Sequence, residues 1–212
     1  MDARCYTVGI AAENTWLARR EGSDRALLID PGDEPDRLQE AIDQLGVTVE
    51  AILVTHCHFD HVGAVAPMAR ATGAPVYCPA LEVPVLADIM AWVPWPGVGP
   101  FESYEADHSV EGGETLELAG LTIDVLFTPG HSPGHVSYSI PAEQALFSGD
   151  VLFQSSIGRT DLPGGDHRRL LRSIAELVDS LPEETRVLPG HMGATTLGAE
   201  RRSNPFLHEL SA

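Results

Sequence analysis

Short apolar runs alternate along the chain with polar breaks marked by glycine or proline, and the pattern predicts an α/β protein. Residues 5–11 and 14–18 read as short strands, and 26–30 as a third, more apolar one that Pro31 and Gly32 terminate. Residues 33–45 then carry Leu38, Ile42 and Leu45 at helical spacing and stop at Gly46, a natural C-cap. The run 51–54 is apolar and β-branched, as a buried strand is, and a polar turn leads from it into a helix over 62–71. A strand at 76–78 and a helix over 81–90 follow. The first half thus reads as a small sheet with helices between its later strands. The second half is richer in strands: 116–118 and 121–127 form a hairpin about Ala119-Gly120, and 136–140 and 145–147 come next. After a glycine-rich loop at 156–165, a helix spans 166–181, with Leu170, Leu171, Ile174, Leu177 and Val178 at helical spacing and Asp166 placed to cap it. A strand at 186–188 and a short, partly helical tail to Leu210 complete the chain. No repeat has a solenoid period, and no segment is of low complexity.

One segment fits no regular element. Residues 91–101 combine Pro and Gly with Trp92, Trp95 and Phe101. Such a loop suits a lid or an apolar wall over a substrate cleft, and equally a segment clipped to the core or a contact between copies by its aromatics.

Length and composition narrow the class. The 212 residues suffice for one well-buried domain, and 43% hydrophobic with 21% charged residues is ordinary for a soluble globular protein. No apolar run is long enough to span a membrane, and the first residues lack the basic start and apolar core of a signal peptide, so a cytoplasmic protein is expected. The net charge of −18 argues against nucleic acid and anionic membrane surfaces as partners. Every basic residue is Arg, which fits genome composition and a salty environment alike. Three cysteines (Cys5, Cys57, Cys78) without metal-ligand spacing fit a reducing compartment and no disulfide framework.

The chemistry concentrates at Thr55-His56-Cys57-His58-Phe59-Asp60-His61-Val62-Gly63. Imidazole nitrogen and carboxylate oxygen are the donors that Zn²⁺, Fe²⁺ and Mn²⁺ accept. His56 and His58 follow a strand at i and i+2, share one face, and can grip one ion. Asp60 and His61 fall in the turn into the next helix, where they would meet a second ion. Cys57, on the opposite face, reads as a small buried filler. Three further candidates each follow a strand and a glycine: His131 in Pro-Gly-His, Asp150 in Ser-Gly-Asp, and His191 in Pro-Gly-His. The glycine lets the backbone turn sharply toward a shared cavity. Five of the nine histidines occupy these positions; His135 reads as structural or as support for a ligand, and His108, His167 and His208 as surface residues.

The set H-x-H-x-D-H followed by His, Asp and His resembles the metallo-β-lactamase superfamily, and within it the short glyoxalase II-like hydrolases. The closer resemblance runs through 128–136, through 148–153 into Gly158-Arg159-Thr160-Asp161, and through 189–191 into 195–207. It implies a four-layered αββα sandwich over residues 1–212 and two divalent metal ions, with zinc foremost and iron or manganese as alternatives. It implies that His56, His58 and His131 hold the first metal, that Asp60, His61 and His191 hold the second, and that Asp150 bridges both. In full-length glyoxalase II enzymes a helical C-terminal domain helps bind glutathione. Few residues follow His191, so no separate domain of that kind is expected here. Arg159 stands where those enzymes carry a lysine that binds the thiol's carboxylate, and Asp161 where they carry a tyrosine.

The resemblance implies a metal-bridging hydroxide that cleaves a thioester such as S-lactoylglutathione, with the thiolate leaving unaided because its conjugate pKa is about 8.5. Asp60 would also orient the hydroxide. Arg159 would pair with a substrate carboxylate, or else with Asp161 or Asp166. Two other activities of the superfamily compete: a persulfide dioxygenase with one iron on His56, His131 and Asp150, and a lactone or ester hydrolase. The small-molecule acyl-thiol reading is preferred because every ligand of the second metal is present.

Overall fold

The computed structural model describes residues 1–93 and 95–207. Pro94, in the middle of the expected aromatic loop, and the end of the tail with His208 lie outside the described residues. Two compact units divide the chain: Met1–Val110 with Leu116–Leu121, and Glu111–Thr115 with Thr122 onward.

The first unit is built on a six-stranded sheet. Its elements are β1 (Asp2–Val8), β2 (Glu13–Arg19), β3 (Arg25–Ile29), α1 (Pro35–Leu45), β4 (Thr48–Leu53), α2 (Phe59–Val62), α3 (Val65–Thr72), β5 (Val76–Pro79), α4 (Val83–Ala87), α5 (Ile89–Trp92) and β6 (His108–Val110). The strands lie in chain order. The first two pairings are antiparallel; β3 to β6 run parallel, as strands joined through helices do. α1 begins with Pro35, whose fixed φ suits a first helical turn, and ends at Gly46 in the left-handed region. Leu38 and Ile42 from α1, Val65 and Met68 from α3, and Leu28, Ile52 and Val76 from the sheet share one buried cluster.

β7 (Thr115–Leu118) falls in the first unit from Leu116 onward, and the second unit follows with β8 (Leu121–Phe127), β9 (Val136–Ile140), β10 (Ala145–Gly149), β11 (Leu152–Phe153), β12 (Ser156–Ile157), α6 (His167–Ser180), β13 (Arg186–Pro189), β14 (Thr195–Thr196) and α7 (Leu197–Ser203). Its large sheet has the order β14-β13-β10-β9-β8-β7, with β10 and β13 parallel and β11–β12 a separate small hairpin. In α6 the residues Leu170, Ile174, Leu177 and Val178 are buried on one face, and Asp166 accepts the Arg169 N–H at 3.0 Å as the N-cap.

The helix expected over 62–71 is two helices, and the first begins at Phe59, so Asp60 and His61 sit in a helical turn rather than in a loop before it. The helix expected over 81–90 is likewise two short ones, broken at Asp88 with φ −146° and ψ 59°. Among the described residues no helix is long and apolar enough to cross a membrane.

Candidate metal centre

In the first unit the site is built at the carboxyl end of β4, around a residue the sequence reading did not single out. Asp30 follows β3, is buried, and has φ +47°, an uncommon conformation for a residue with a side chain. Its Oδ1 accepts the Thr55 N–H at 2.7 Å, and its Oδ2 accepts the Thr55 hydroxyl at 2.6 Å and His61 Nδ1–H at 3.0 Å. Because the one hydroxyl proton of Thr55 goes to Asp30, its 3.1 Å contact with His56 makes His56 Nδ1 the donor. In the neutral rings both protons therefore sit on Nδ1. The lone pair of His56 Nε2 then faces His58 Nδ1 at 3.1 Å, and that of His61 Nε2 lies 3.9 Å from Asp60 Oδ2. The rings of His56 and His61 have centroids 4.2 Å apart.

The turn that carries Asp60 is pressed against the Pro31-Gly32 segment. A Cβ at Gly32 would lie 1.8 Å from the Asp60 carbonyl oxygen, so only glycine permits this approach. Glu13, another residue without a sequence signal, is fully buried with Oε1 3.7 Å from His61 Nδ1, and burial pushes its carboxyl well above the usual range. Cys57 is buried with its sulfur 3.5 Å from that of Cys78, and burial raises its thiol pKa. It therefore stays protonated and is a poor nucleophile.

In the second unit His131, Asp150 and His191 come together. His131 Nδ1–H donates to the Arg159 carbonyl at 2.7 Å, which leaves the lone pair on Nε2, 3.4 Å from Asp150 Oδ2. His191 Nε2 lies 3.5 Å from the same oxygen. Gly130 has φ +135°, and a Cβ there would meet the Leu170 backbone nitrogen at 2.2 Å; this close approach sets His131 beside the start of α6. Gly190 is not among the glycines with positive φ, so the turn before His191 does not use the freedom that the sequence suggested.

His135 acts on Asp150. It accepts the Asp150 N–H at Nε2, at 3.0 Å, so its own proton is on Nδ1 and is donated to Thr128 Oγ1 at 3.0 Å. The Thr128 hydroxyl also meets Ser137 Oγ at 2.9 Å. Arg159 is exposed and engages Asp161 with two parallel hydrogen bonds of 2.7 Å, from Nε and one terminal nitrogen. That pairing holds the Asp161 carboxyl down at about 2.

The residues fit divalent metal ions by the chemistry of their donors. A lone pair on His131 Nε2 and a carboxylate oxygen of Asp150 face each other at 3.4 Å, an arrangement that a cation between them stabilises. The donors are imidazole nitrogen and carboxylate oxygen, which suit zinc, iron and manganese. Each of His56, His61 and His131 is oriented through its other ring nitrogen, as metal-ligating histidines are.

Mixed sheets whose strands end in histidines and aspartates of this kind define an α/β protein with a metal-binding site. The chain matches the Metallo-beta-lactamase superfamily over residues 8–191 and belongs to it. It is 43% identical to the "Probable metallo-hydrolase YqgX" of Bacillus subtilis over 193 residues, 89% of this chain and 90% of that one. It is 36% identical to the "Hydroxyacylglutathione hydrolase GloC" of Haemophilus influenzae over 188 residues, 88% of this chain and 89% of that one. Among solved structures, the BLEG-1 B3 metallo-β-lactamase superposes with a TM-score of 0.92 at 40% identity, covering 97% of this chain and 99% of the other. TTHA1623 in a di-iron-bound form gives 0.85 at 44% identity, covering 96% and 100%. The fold is that of the metallo-β-lactamases: α/β, with two large mixed sheets and helices.

Proposed function

We propose that the protein is a metal-dependent hydrolase of glyoxalase II type that cleaves the thioester bond of a small acyl-thiol. The observation that supports metal chemistry is the confrontation of His131 Nε2 and His191 Nε2 with one oxygen of Asp150, at 3.4 and 3.5 Å. The thioester as substrate is supported by the likeness to a hydroxyacylglutathione hydrolase along nearly the whole chain.

His56, His58 and His131 would hold one divalent ion, Asp60, His61 and His191 a second, with Asp150 shared; zinc is the first choice, iron or manganese the alternatives. Bound there, the ions supply an activated water and a Lewis acid for the carbonyl oxygen. The chain's own contribution is orientation. Asp30 keeps the lone pair of His61 on Nε2, Thr55 does the same for His56, and the Arg159 carbonyl does it for His131. His135 holds the backbone of Asp150. Asp60 would orient the attacking water. Arg159 would bind a substrate carboxylate through the edge of its guanidinium outside the Asp161 pair.

The test is metal content per chain on protein purified without chelator, with S-lactoylglutathione hydrolysis, persulfide-dependent O₂ uptake, and lactone and β-lactam hydrolysis assayed on the same sample. About two metals per chain with thioester turnover and no O₂ uptake is expected. One iron per chain with persulfide-dependent O₂ consumption would replace this reading with a dioxygenase. Two metals with turnover of lactone or β-lactam alone would keep the site and discard the thioester.

A further inference from the structure

Phe59, the first residue of α2, stands in the chain between His58 and Asp60, and its ring is the foundation of an aromatic cluster within the first unit. Trp95 meets it edge-on with ring centroids 5.6 Å apart, and Phe101 stacks on it at 5.6 Å. Phe101 is seated by the missing side chain of Gly63, whose Cβ would come within 2.8 Å of the ring. The segment is tied down at several points: Phe101 N–H donates to Met90 Sδ at 3.3 Å, Ile89 N–H to Ser103 Oγ at 3.2 Å, and Tyr104 N–H to the Leu86 carbonyl at 3.0 Å. Yet Met90, Trp92 and Trp95 remain 41%, 58% and 42% exposed. An anchored segment that shows two tryptophans and a methionine to solvent, joined to the residues proposed to ligate the metals, needs something apolar to cover it.

Charge narrows what that is. From residue 71 to residue 107 the chain has no Arg, Lys or His, and it has five acidic residues: Glu82, Asp88, Glu102, Glu105 and Asp107. Glu102 is paired with Arg70, which precedes this stretch. A carboxylate-bearing group laid on this surface would lose its hydration against aromatic faces and find no counter-ion in this stretch. An uncharged hydrocarbon group meets neither penalty.

Resting on the thioester reading above, we propose that Phe59, Trp92, Trp95 and Phe101 form the wall that receives the acyl group, and that the substrates are thioesters of uncharged, apolar acyl groups longer than lactoyl. Each methylene buried completely is worth about fourfold in binding. A wall covers one side of the chain, so about twofold per methylene is expected, or about sixteenfold from acetyl to hexanoyl.

The experiment uses the metal-loaded protein with acetyl, butyryl, hexanoyl and succinyl thioesters of N-acetylcysteamine, an uncharged thiol, and measures kcat/KM along the series. In parallel, binding of the corresponding S-alkyl thioethers, which cannot be hydrolysed, is measured by calorimetry. Both series should rise with chain length, and succinyl should fall below butyryl. Trp95→Ala and Trp92→Ala should each flatten both slopes, while Ile10→Ser, at an exposed position in the turn after β1, keeps them. Thioether affinities that rise with length and flatten in Trp95→Ala, without thioester turnover, would uphold the wall and sink the thioesterase reading. Turnover with no dependence on acyl length would uphold the thioesterase and overturn the wall. A dimer that Trp95→Ala converts to monomer, with the slopes unchanged, would assign the patch to a second copy and also overturn it.

Discussion

Asp30→Asn tests the architecture beneath the candidate metal centre without touching a proposed ligand. Asp30 is 2% exposed and accepts three hydrogen bonds: Thr55 N–H at 2.7 Å, the Thr55 hydroxyl at 2.6 Å, and His61 Nδ1–H at 3.0 Å. Asparagine offers one oxygen. With that oxygen at the Oδ2 position, the hydroxyl and His61 keep their partner, but the amide NH₂ faces the buried Thr55 N–H, donor against donor. In the other orientation two bonds fail instead of one. The better orientation still leaves a buried backbone N–H unsatisfied and weakens two bonds that had an anionic acceptor. At roughly 1–3 kcal/mol for the first and about half of a charge-assisted bond for each of the others, the loss is about 4 kcal/mol. Asp30→Ala, which strands all three donors, should cost about 5 kcal/mol. The assay is urea unfolding of metal-stripped protein at neutral pH, read from the shift of the midpoint at constant m. The substitution should also weaken metal binding by roughly 10- to 100-fold, because the tautomer of His61 loses its anionic partner. An Asp30→Asn protein within about 1 kcal/mol of the parent, with unchanged metal affinity, would refute the role given to Asp30.

Three further outcomes are expected. In Arg159→Ala the Asp161 carboxyl, held at about 2 by the guanidinium, should return to about 3.9 in an NMR titration. Because the folded value lies below the unfolded one, the pair's contribution is present above about pH 4 and disappears as pH falls through about 2; the variant should lack that part of the acid dependence. Gly130→Ala puts a Cβ 2.2 Å from the Leu170 nitrogen at φ +135°, and should lose at least about 4 kcal/mol of stability; a near-normal melting temperature would contradict the close approach. Asp60→Asn should keep the fold, by circular dichroism, while turnover of a metal-replete sample falls by about a hundredfold or more; near-normal turnover would remove Asp60 from the chemistry.

The sequence pattern carried most of the fold because the long elements have clear periods. α6 buries the apolar stripe that its spacing suggests, β8 and β9 alternate apolar with polar residues, and β10 opens on a short apolar run. The strands absent from the pattern are those too short to have one: β6, β14, and the β11–β12 hairpin inside and beside what reads as loop. The start of α2 at Phe59 was hidden because His58-Phe59-Asp60-His61 carries no apolar periodicity. At the site, the residues of candidate-ligand type announce themselves by local spacing, whereas their supports do not. Asp30 and Glu13 act on His61 from 31 and 48 positions away, a distance only the fold closes. Glu13 left no trace of its own, because it heads a strand that also carries Asn14, Thr15 and Arg19. His135 did leave one, a second histidine four residues after His131; the structure gives it the task of holding Asp150.

The hydrogen bond from His131 to position 159 ends on a main-chain carbonyl. Every amino acid carries that carbonyl, so the side chain there can be exchanged without disturbing the tautomer of the histidine. The same residue therefore separates two kinds of information. Its main chain belongs to the frame that orients a candidate metal ligand, while its side chain, which pairs with Asp161, is the part proposed to meet a substrate's carboxylate. Selection or engineering can retune the second without penalty to the first, so a change of substrate at this position requires no compensating change in the metal centre.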